Sequence, residues 1–551
     1  MLPALTPALL LAAAVADLTG RRTGAHVARG IAAAAALATA WVVLDSGPLR
    51  LPLYHWLTLT EPGERAVDAG LFCDGSAAAL LVLLSLWTVA APLVTGRQDG
   101  RTGAALDLAA VGGGIVIIAD GALLSLAGTE LLLAATFVHG ACGSATTPAA
   151  RRLLAATRLG GMALVGTLVF ADAGAAPWLA MLAAAILVGA WPCHSWLEDL
   201  GDSGSATGIR LVAAVVGLCL FLRFAEPLPA AVAVIFALSS MISVVSSLST
   251  QDLFRAQVMT MAAQGSLVLA AATLVPMAAL MLVAAYGAAQ LAPAMALARI
   301  ESALPAIPRR FTELGGLAAV LPWPRWLTLA GAIVACFSGP SLRAHAALAG
   351  HGMIEAGPPG AVLVVSLLVL PVLPLLRLAL VPYSGPVRHT TTSTAADAAV
   401  SIRTTLAVLV LVALGSAAVG WSALPPPATL TVAIAAGAAA IAVLAGFLLW
   451  RNGPSGREAV PSPARSWADE GFGVSRVLTA CGVALQATGR FCWTAIDSTL
   501  FGGVPGAVGL TLRATGWLLA RLHDGRSGWA MAAAVGTIAI LLWSTRTGGT
   551  W

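Results

Sequence analysis

The sequence predicts an all-α integral membrane protein with about sixteen transmembrane helices, each near the length that a bilayer core requires. Hydrophobic residues make up 59% of the chain and charged residues only 10%, whereas soluble proteins carry about 25% charged residues. All thirty basic residues are arginine, because the chain contains no lysine. This composition excludes a soluble fold. It also constrains the mechanism, since a buried arginine stays protonated where a lysine can release its proton.

The predicted spans are apolar stretches separated by short polar loops. They cover residues 3–18, 27–45, 76–95, 102–119, 122–144, 153–171, 176–196, 207–225, 228–248, 254–274, 277–298, 326–349, 360–383, 401–423, 427–450 and 527–545. No small-residue cleavage site precedes Arg21, so we interpret the first span as a retained helix rather than a signal peptide.

The composition changes after residue 450 and predicts four regions. Residues 1–450 form a transmembrane helical bundle, and residues 451–473 form a polar linker rich in Gly, Pro and Ser. Residues 474–526 are too polar to span a membrane and too apolar to stand in water, which predicts a lateral amphipathic arm. Residues 527–551 complete the chain as a terminal transmembrane anchor.

Arginine is concentrated in the odd-numbered loops, which predicts that these loops are cytoplasmic and that both termini lie outside. This distribution accounts for the net charge of +5, and no basic stripe with interleaved aromatic residues predicts a nucleic-acid partner. The seven cysteines form no CxxC pair, and no phosphate-binding loop is present. The sequence therefore predicts no cofactor, no metal and no catalytic residue in this chain, and the lipid bilayer as its surroundings.

Several short motifs follow one another in a fixed order. They are Phe-Cys-Asp-Gly-Ser at 72–76, Ala-Asp-Gly at 119–121, Gly-Thr-Glu at 128–130, Arg-Leu-Gly at 158–160, Pro-Cys-His-Ser-Trp-Leu-Glu-Asp at 192–199, Leu-Gly-Gly-Leu at 314–317 and Leu-Arg-Ala-Thr-Gly at 512–516. The most specific of them is the motif at 192–199.

In this order the motifs resemble those of the L-type antiporter-like subunit of respiratory complex I, in the superfamily of the large Mrp-type antiporter subunits. The motif at 192–199 is similar to the family's Pro-x-His-Thr-Trp-Leu-Pro-Asp, and Gly161 replaces the aspartate of its Arg-x-Gly-Asp element. The resemblance implies an antiporter-like core at about 102–383, built from two inverted five-helix repeats around interrupted helices. It also implies a lateral helix that clamps neighbouring membrane-arm subunits, and a location in the bacterial cytoplasmic membrane.

The resemblance further implies that lysines in the seventh, eleventh and twelfth helices relay protons, and this chain departs from it at all three positions. Counting back from Trp196 places the seventh-helix lysine at Leu187. Aligning the family's His-x-x-x-Lys places Tyr286 on the histidine and Gln290 on the central lysine. The third lysine falls within 349–355, which contains none. A lysine-based relay is therefore absent.

The remaining proton-path candidates are polar or titratable side chains in or near the spans. They are Glu130, Asp120, His139, His194, Gln264, Tyr286, Gln290, His345 and His351. Glu130 lies well inside its span, where a carboxylate indicates function, although it also fits a glutamate near a helix start. The glutamines can hold a water wire by hydrogen bonding alone, and His194 fits a role at a proton entrance.

The other candidates have both structural and functional interpretations. Asp120 suits a turn between spans, and His139 suits a satisfied core histidine. His345 and His351, with Arg343 and Glu355, are expected to cluster near the outer end of the twelfth span, as a solvated face or as a substitute relay. Asp252 and Arg255, one helical turn apart, are expected to form an ion pair at the cytoplasmic face.

The sequence therefore predicts a membrane-arm subunit of a complex-I-like NADH–quinone oxidoreductase, with electron transfer handled by other subunits. Proton translocation through this chain is expected to be lost or altered. Two alternatives stay open. One is an ion transporter of the Mrp type or of an inorganic-carbon uptake system, and the other is a non-conducting scaffold.

Overall fold

The predicted apolar spans form helices wherever the structure describes them. The computed structural model describes residues 2–58, 66–95, 100–142, 147–169, 174–201, 204–225, 228–303, 310–311, 313–319, 321–385, 429–450, 474–491, 509–511, 513–514 and 536–537. Among these residues, nine helices are long and apolar enough to cross a bilayer, and four more are apolar but shorter. The prediction of an all-α integral membrane protein is confirmed.

The helices of the bundle follow one another with short connections. They are α1 (Leu2–Leu18), α2 (Arg22–Ser46), α3 (Gly75–Thr95), α4 (Gly100–Ile118), α5 (Ala122–Cys142), α6 (Thr147–Val169), α7 (Ala176–Val188), α8 (Ser195–Asp199), α9 (Gly204–Phe224), α10 (Ala231–Ser249), α11 (Leu253–Leu274), α12 (Pro276–Ala303), α13 (Pro322–Phe337), α14 (Gly339–Val369) and α15 (Val372–Leu380). Two later helices cover Thr429–Trp450 and Val474–Phe491. The predicted linker and the span 401–423 lie outside the described residues, as does the last span apart from 536–537.

Three predicted spans are interrupted rather than continuous. The span 176–196 ends as α7 at Val188, and a short loop separates it from α8. The span 326–349 breaks at Ser338, between α13 and α14. Helix α14 then runs through the whole of the next predicted loop and into the span 360–383, which breaks between α14 and α15. The first two breaks fall in the fourth span of each predicted five-helix repeat, and interrupted helices of this kind occur in transporters.

A small antiparallel sheet, which the sequence interpretation treated as a polar loop, joins α2 to α3. Strands β1 (Leu49–Thr58) and β2 (Ala66–Cys73) form a hairpin, and the two-residue strand β3 (Ala119–Asp120) pairs with β2. Because β3 directly follows α4, the sheet ties the end of α4 to the hairpin.

The central helices of the bundle are α9 and α12. Of the residues in their most apolar stretches, 89% and 94% respectively are buried inside the protein. Helix α9 packs on α3, α4 and α7, and α12 packs on α11, α13 and α14. The chain divides into two compact units, Met1–Gly482 and Val483–Trp551, and the first contains all of α1–α15.

A buried charge cluster joins α1, α2 and α4. The guanidinium of Arg29 binds both carboxylate oxygens of Asp107, with Nε–Oδ1 and Nη2–Oδ2 distances of 2.7 and 2.8 Å, and it also contacts Asp17. All three side chains are almost completely buried. Buried charges are tolerated when they are paired and hydrogen-bonded, so this cluster fixes the three helices in register.

Replacing Arg29 by methionine is expected to lower stability by about 3–5 kcal/mol, because two buried carboxylates lose their shared cation. The measurement is the melting temperature of the purified chain in detergent. Arg22→Met at the exposed start of the same helix is the matched control. Equal melting temperatures for the two variants would contradict the structural role of the cluster.

Candidate functional site

A glycine and a tryptophan stabilise the break between α7 and α8. Gly189 ends α7 with a φ of 72°, a conformation that costs glycine little, and the Leu197 side chain packs directly against it. The indole Nε1 of Trp196 donates a hydrogen bond of 2.7 Å to the carbonyl of Ile186 in the last turn of α7. The tryptophan of the most specific motif is therefore a positioning residue for the broken helix.

Arg210 in α9 binds the other side of this break. Its Nε donates to the carbonyl of Leu197 at 2.8 Å, and its Nη2 donates to the carbonyl of Gly201. The guanidinium also stacks 5.2 Å from the ring centre of Phe254 in α11. A fully buried arginine, which the sequence interpretation did not single out, thus satisfies the carbonyls at the end of α8.

Gln264 in α11 and Gln290 in α12 meet beside Arg210. The Gln290 Nε2 donates to the Gln264 Oε1 at 2.7 Å, and both side chains are buried. Gly265 lets α11 approach the end of α7, because a Cβ at that position would collide with Val188. The position that the resemblance assigns to the central lysine is therefore occupied by one half of a glutamine pair.

A cavity of about 40 Å³ lies between these groups. Its lining consists of Trp87, Val188, Leu197, Arg210, Leu211, Ala214, Met261, Gln264, Gly265, Val268, Val283, Tyr286, Gly287 and Gln290. Within the described structure, the Arg210 Nη1, the Gln264 Nε2 and the Gln290 Oε1 are buried without hydrogen-bond partners. About 10–15 Å³ suffices for one water molecule, so the cavity can hold a few small polar molecules that would satisfy these atoms.

Tyr286 also lines the cavity and is held by a hydrogen bond to α14. Its hydroxyl donates a hydrogen bond of 3.2 Å to the carbonyl of Leu368 in α14. One residue further, Gly287 lets the Trp87 ring of α3 lie against α12, since a Cβ there would overlap the indole. Tyr286 therefore links the glutamine pair to α14.

The position predicted for the seventh-helix lysine is apolar in structure as well as in sequence. Leu187 is buried against a second cavity of only about 10 Å³. The lining of this cavity is Leu133, Thr136, Ala156, Thr157, Ile186, Leu187, Trp196 and Ala213. None of these side chains exchanges protons near neutral pH, so the cavity provides no titratable step.

Glu130 lies at the surface of the bundle rather than in the central cavity. Its Oε2 is 3.0 Å from the Nη1 of Arg158 in α6, and the two side chains are 37% and 39% exposed. Gly161 makes room for the carboxylate, because a Cβ at that position would collide with the Glu130 Oε1. The glycine that replaces the family's aspartate thus accommodates this ion pair.

Asp120 lies on the side of the bundle that the sequence assigns to the outside. Its Oδ2 pairs with the Nε of Arg50 at 2.7 Å. A cavity of about 320 Å³ here is lined by both Asp74 and Asp120 and by Arg223. The turn position predicted for Asp120 is thus part of a polar mouth.

His139 and His194 are both buried, in different places. The His139 ring bonds to the backbone of Thr102 in α4, which agrees with a core histidine. His194 lies in the loop between α7 and α8, where its Nδ1 has no hydrogen-bond partner among the described residues. Neither histidine lines the central cavity.

The residues predicted to cluster around His345 and His351 lie along one continuous helix. Helix α14 is continuous from Gly339 to Val369, so these residues lie inside a helix rather than at the outer end of a span. His345 is buried with its Nδ1 3.3 Å from the Ser341 Oγ, His351 is half-buried, and Arg343 and Glu355 are exposed. His345 and His351 are six residues apart, and this spacing places their rings on different faces of an α-helix.

Asp252 and Arg255 interact in a different way from the predicted ion pair. The Asp252 Oδ1 accepts the backbone N–H of Arg255 at 2.8 Å and so caps the start of α11. The Arg255 Nε lies 3.1 Å from the Oε1 of Glu198 in α8. The arginine side chain therefore connects α11 to the interrupted helix.

Glu198 is a titratable group that the sequence interpretation missed. It lies outside the spanning helices, and burial raises its pKa to about 7, although the positive charge of Arg255 opposes this effect. A carboxyl group that titrates near neutrality suits a proton acceptor. Its signal in the sequence is the glutamate that replaces the proline of the family motif.

The comparisons with known proteins bear on the fold. No protein-family model matches the sequence and no curated protein matches it. Among solved structures, the Mrp complex from Dietzia sp. DQ12-45-1b contains a chain with a TM-score of 0.59 and 17% identity, and the match covers 82% of this chain and 99% of that one. This chain therefore shares its membrane fold with that chain of the Mrp complex.

A second solved structure agrees with this assignment. A chain of the membrane-bound sulfane sulfur reductase, an archaeal respiratory membrane complex, matches with a TM-score of 0.63 and 12% identity. The match covers 92% of this chain and 99% of that chain. Because nearly the whole of each neighbour is covered, the shared architecture extends through most of the bundle.

Replacing Trp196 by phenylalanine removes the indole hydrogen bond to the end of α7 and keeps most of the aromatic packing. We expect a loss of about 1 kcal/mol of stability, measured as a lower melting temperature in detergent. Trp178→Phe changes an exposed tryptophan of the same helix region and serves as the control. A Trp196→Phe variant as stable as the control would refute the positioning role.

Glu198 is expected to make stability fall as the pH rises from 4.5 to about 7. Its pKa is about 7 in the folded protein and 4.5 for an ordinary glutamate, so the folded state binds more protons in this window. The contribution is complete below pH 4.5 and is lost above pH 7. Glu198→Gln should flatten the dependence of melting temperature on pH, whereas Glu355→Gln at an exposed position should not. Identical pH profiles for Glu198→Gln and the parent chain would contradict this prediction.

Proposed function

We propose that this chain is an L-type, antiporter-like subunit in the membrane arm of a complex-I-like NADH–quinone oxidoreductase. We further propose that proton translocation through it is lost or strongly altered. The observation that carries this proposal is the buried pair of Gln264 and Gln290, at the position that the resemblance gives to the central lysine. An amide binds and orients water but does not take up or release a proton near neutral pH.

The surroundings of the glutamine pair support loss of the relay. The charged side chain beside it is Arg210, which stays protonated and cannot pass a proton on. Leu187 and the residues around it line a separate cavity with no titratable side chain. A proton path through these residues would have to cross a stretch with no titratable group.

The exposed ion pair of Glu130 and Arg158 supports a role at a subunit interface. Both side chains are more than one-third exposed at the surface of a membrane bundle. Charged side chains facing lipid are costly, and in membrane proteins they face other protein or water. A neighbouring subunit that covers this surface would shield the pair, as expected in a multi-subunit membrane arm.

An ion transporter of the Mrp type or of an inorganic-carbon uptake system is the second candidate, favoured by the likeness to a chain of the Mrp complex. The predicted arm at 474–526 and the missing lysines favour the first candidate.

The proposed location is the bacterial cytoplasmic membrane, with both termini outside. If no proton passes through this chain, the first candidate becomes a non-conducting scaffold.

Purification of a tagged copy from native membranes is expected to recover other membrane-arm and hydrophilic subunits of a complex-I-like assembly. Mild detergent and mass spectrometry of the co-purifying proteins provide the measurement, with an untagged strain as control. Recovery of the chain alone, or with one unrelated soluble partner, would contradict the proposal and favour the transporter.

Glu130→Gln in that assembly is expected to change NADH-driven proton transport by less than twofold, because the relay through this chain is already broken. Transport is measured in vesicles with a pH-sensitive dye and is divided by the rate of NADH oxidation. Glu355→Gln, also exposed, is the control. Loss of most of the transport in the Glu130 variant alone would identify the chain as a conductor.

A further inference from the structure

We propose that the central cavity binds a small monovalent anion of halide size between Arg210 and Gln264. The cavity, of about 40 Å³, lies between α3, α9, α11 and α12. It has room for one ion of this size and is too small for sulfate with its hydration shell. The inference is independent of the proposed function, because it concerns the isolated chain.

The charge of Arg210 is the first argument. Its side chain is buried, and within the described structure its Nε and Nη2 bind only backbone carbonyls. Glu198, whose negative charge reaches Arg210, is itself paired with Arg255 at 3.1 Å. An isolated buried cation is unfavourable, so a mobile anion in the cavity would stabilise the folded state.

The contrast with Arg29 strengthens this argument. Arg29 is equally buried, but it contacts two carboxylates, those of Asp17 and Asp107. Arg210 lines a cavity whose described lining contains no aspartate or glutamate. The one ionic side chain in this lining is therefore positive, which favours an anion and repels a metal cation or a proton.

The unpaired donors are the second argument. The Arg210 Nη1 and the Gln264 Nε2 are buried and lack hydrogen-bond partners, and both residues line the cavity. The assignment to Gln264 follows from the amide orientation in which the Gln290 Nε2 donates to the Gln264 Oε1. With both amides reversed, the free donor in the same lining belongs to Gln290. A charged donor and a neutral N–H donor are the groups that anion sites use.

The experiment follows the melting temperature of the full chain in detergent while chloride replaces gluconate at constant ionic strength. A ligand that binds only the folded state raises the melting temperature in a saturable way. We expect such a rise with chloride and with bromide, and not with sulfate. Arg210→Met and Gln264→Leu should each raise the half-saturation concentration of chloride at least tenfold.

Arg223→Gln is the matched control, because this arginine lies on the same helix and binds the carbonyls of Val116, Ile117 and Ala119 at the end of α4. It should keep the chloride response even if its melting temperature is lower. Loss of the response in this variant would place the anion in the outer cavity and overturn the assignment. The absence of a saturable rise in the melting temperature of the parent chain would also overturn the assignment.

Gln264→Leu protects the test against a folding defect, since it leaves the contacts of Arg210 with α8 unchanged. A direct readout is the line width of the chloride-35 NMR signal, which a bound, slowly tumbling ion broadens. We expect the parent chain to broaden it and bromide to reverse the effect. Equal broadening by the parent chain and Gln264→Leu would refute the site.

Discussion

The structure depends on satisfying backbone carbonyls at helix ends that lie inside the bundle, away from water. Arginines do this at three places, two of them buried and the third, Arg223, half-buried. Arg210 binds carbonyls at the end of α8, Arg223 binds those at the end of α4, and Arg377 binds the carbonyls of Ser247 and Thr250 at the end of α10. In a bilayer each unsatisfied carbonyl is costly, and the guanidinium offers several donors in one plane. This makes arginine suited to interrupted helices.

The same constraint determines the electrostatics of the centre. Where a guanidinium has carboxylate partners, as Arg29 has, the charge is locked into the helix packing. Arg210 binds backbone carbonyls and the Phe254 ring and has no carboxylate hydrogen-bond partner in the described structure, so its positive charge faces the cavity beside Gln264 and Gln290. A central polar site with a fixed positive charge and a neutral amide pair differs from a lysine relay, in which the cation itself gains and loses the proton. The absence of lysine is therefore consistent with the chemistry of the whole site.

The helical spans and the order of the motifs could be read from the sequence, because apolar length and motif spacing are local properties. The hydrogen bond of 2.7 Å between Gln290 and Gln264 was not predicted, because it joins residues 26 positions apart on two different helices. Contacts between side chains on different helices were not predictable. Asp252 and Arg255 are neighbours in sequence, but the arginine side chain reaches Glu198 on another helix. His345 and His351 lie inside α14 and not at a span end, because the helix continues through the predicted loop after residue 349.

By itself, the sequence determined that the chain crosses a membrane many times, that it has no lysine, and that the lysine positions implied by the resemblance hold Leu187 and Gln290. Only the tertiary structure decided which buried charges are neutralised. Arg29 and Arg210 are the same residue type in similar apolar surroundings, and no local pattern separates them. Their difference arises because side chains from three helices converge on Arg29, whereas Arg210 meets helix-end carbonyls and a cavity. Long-range packing controls this outcome, and hydrophobic periodicity does not encode it.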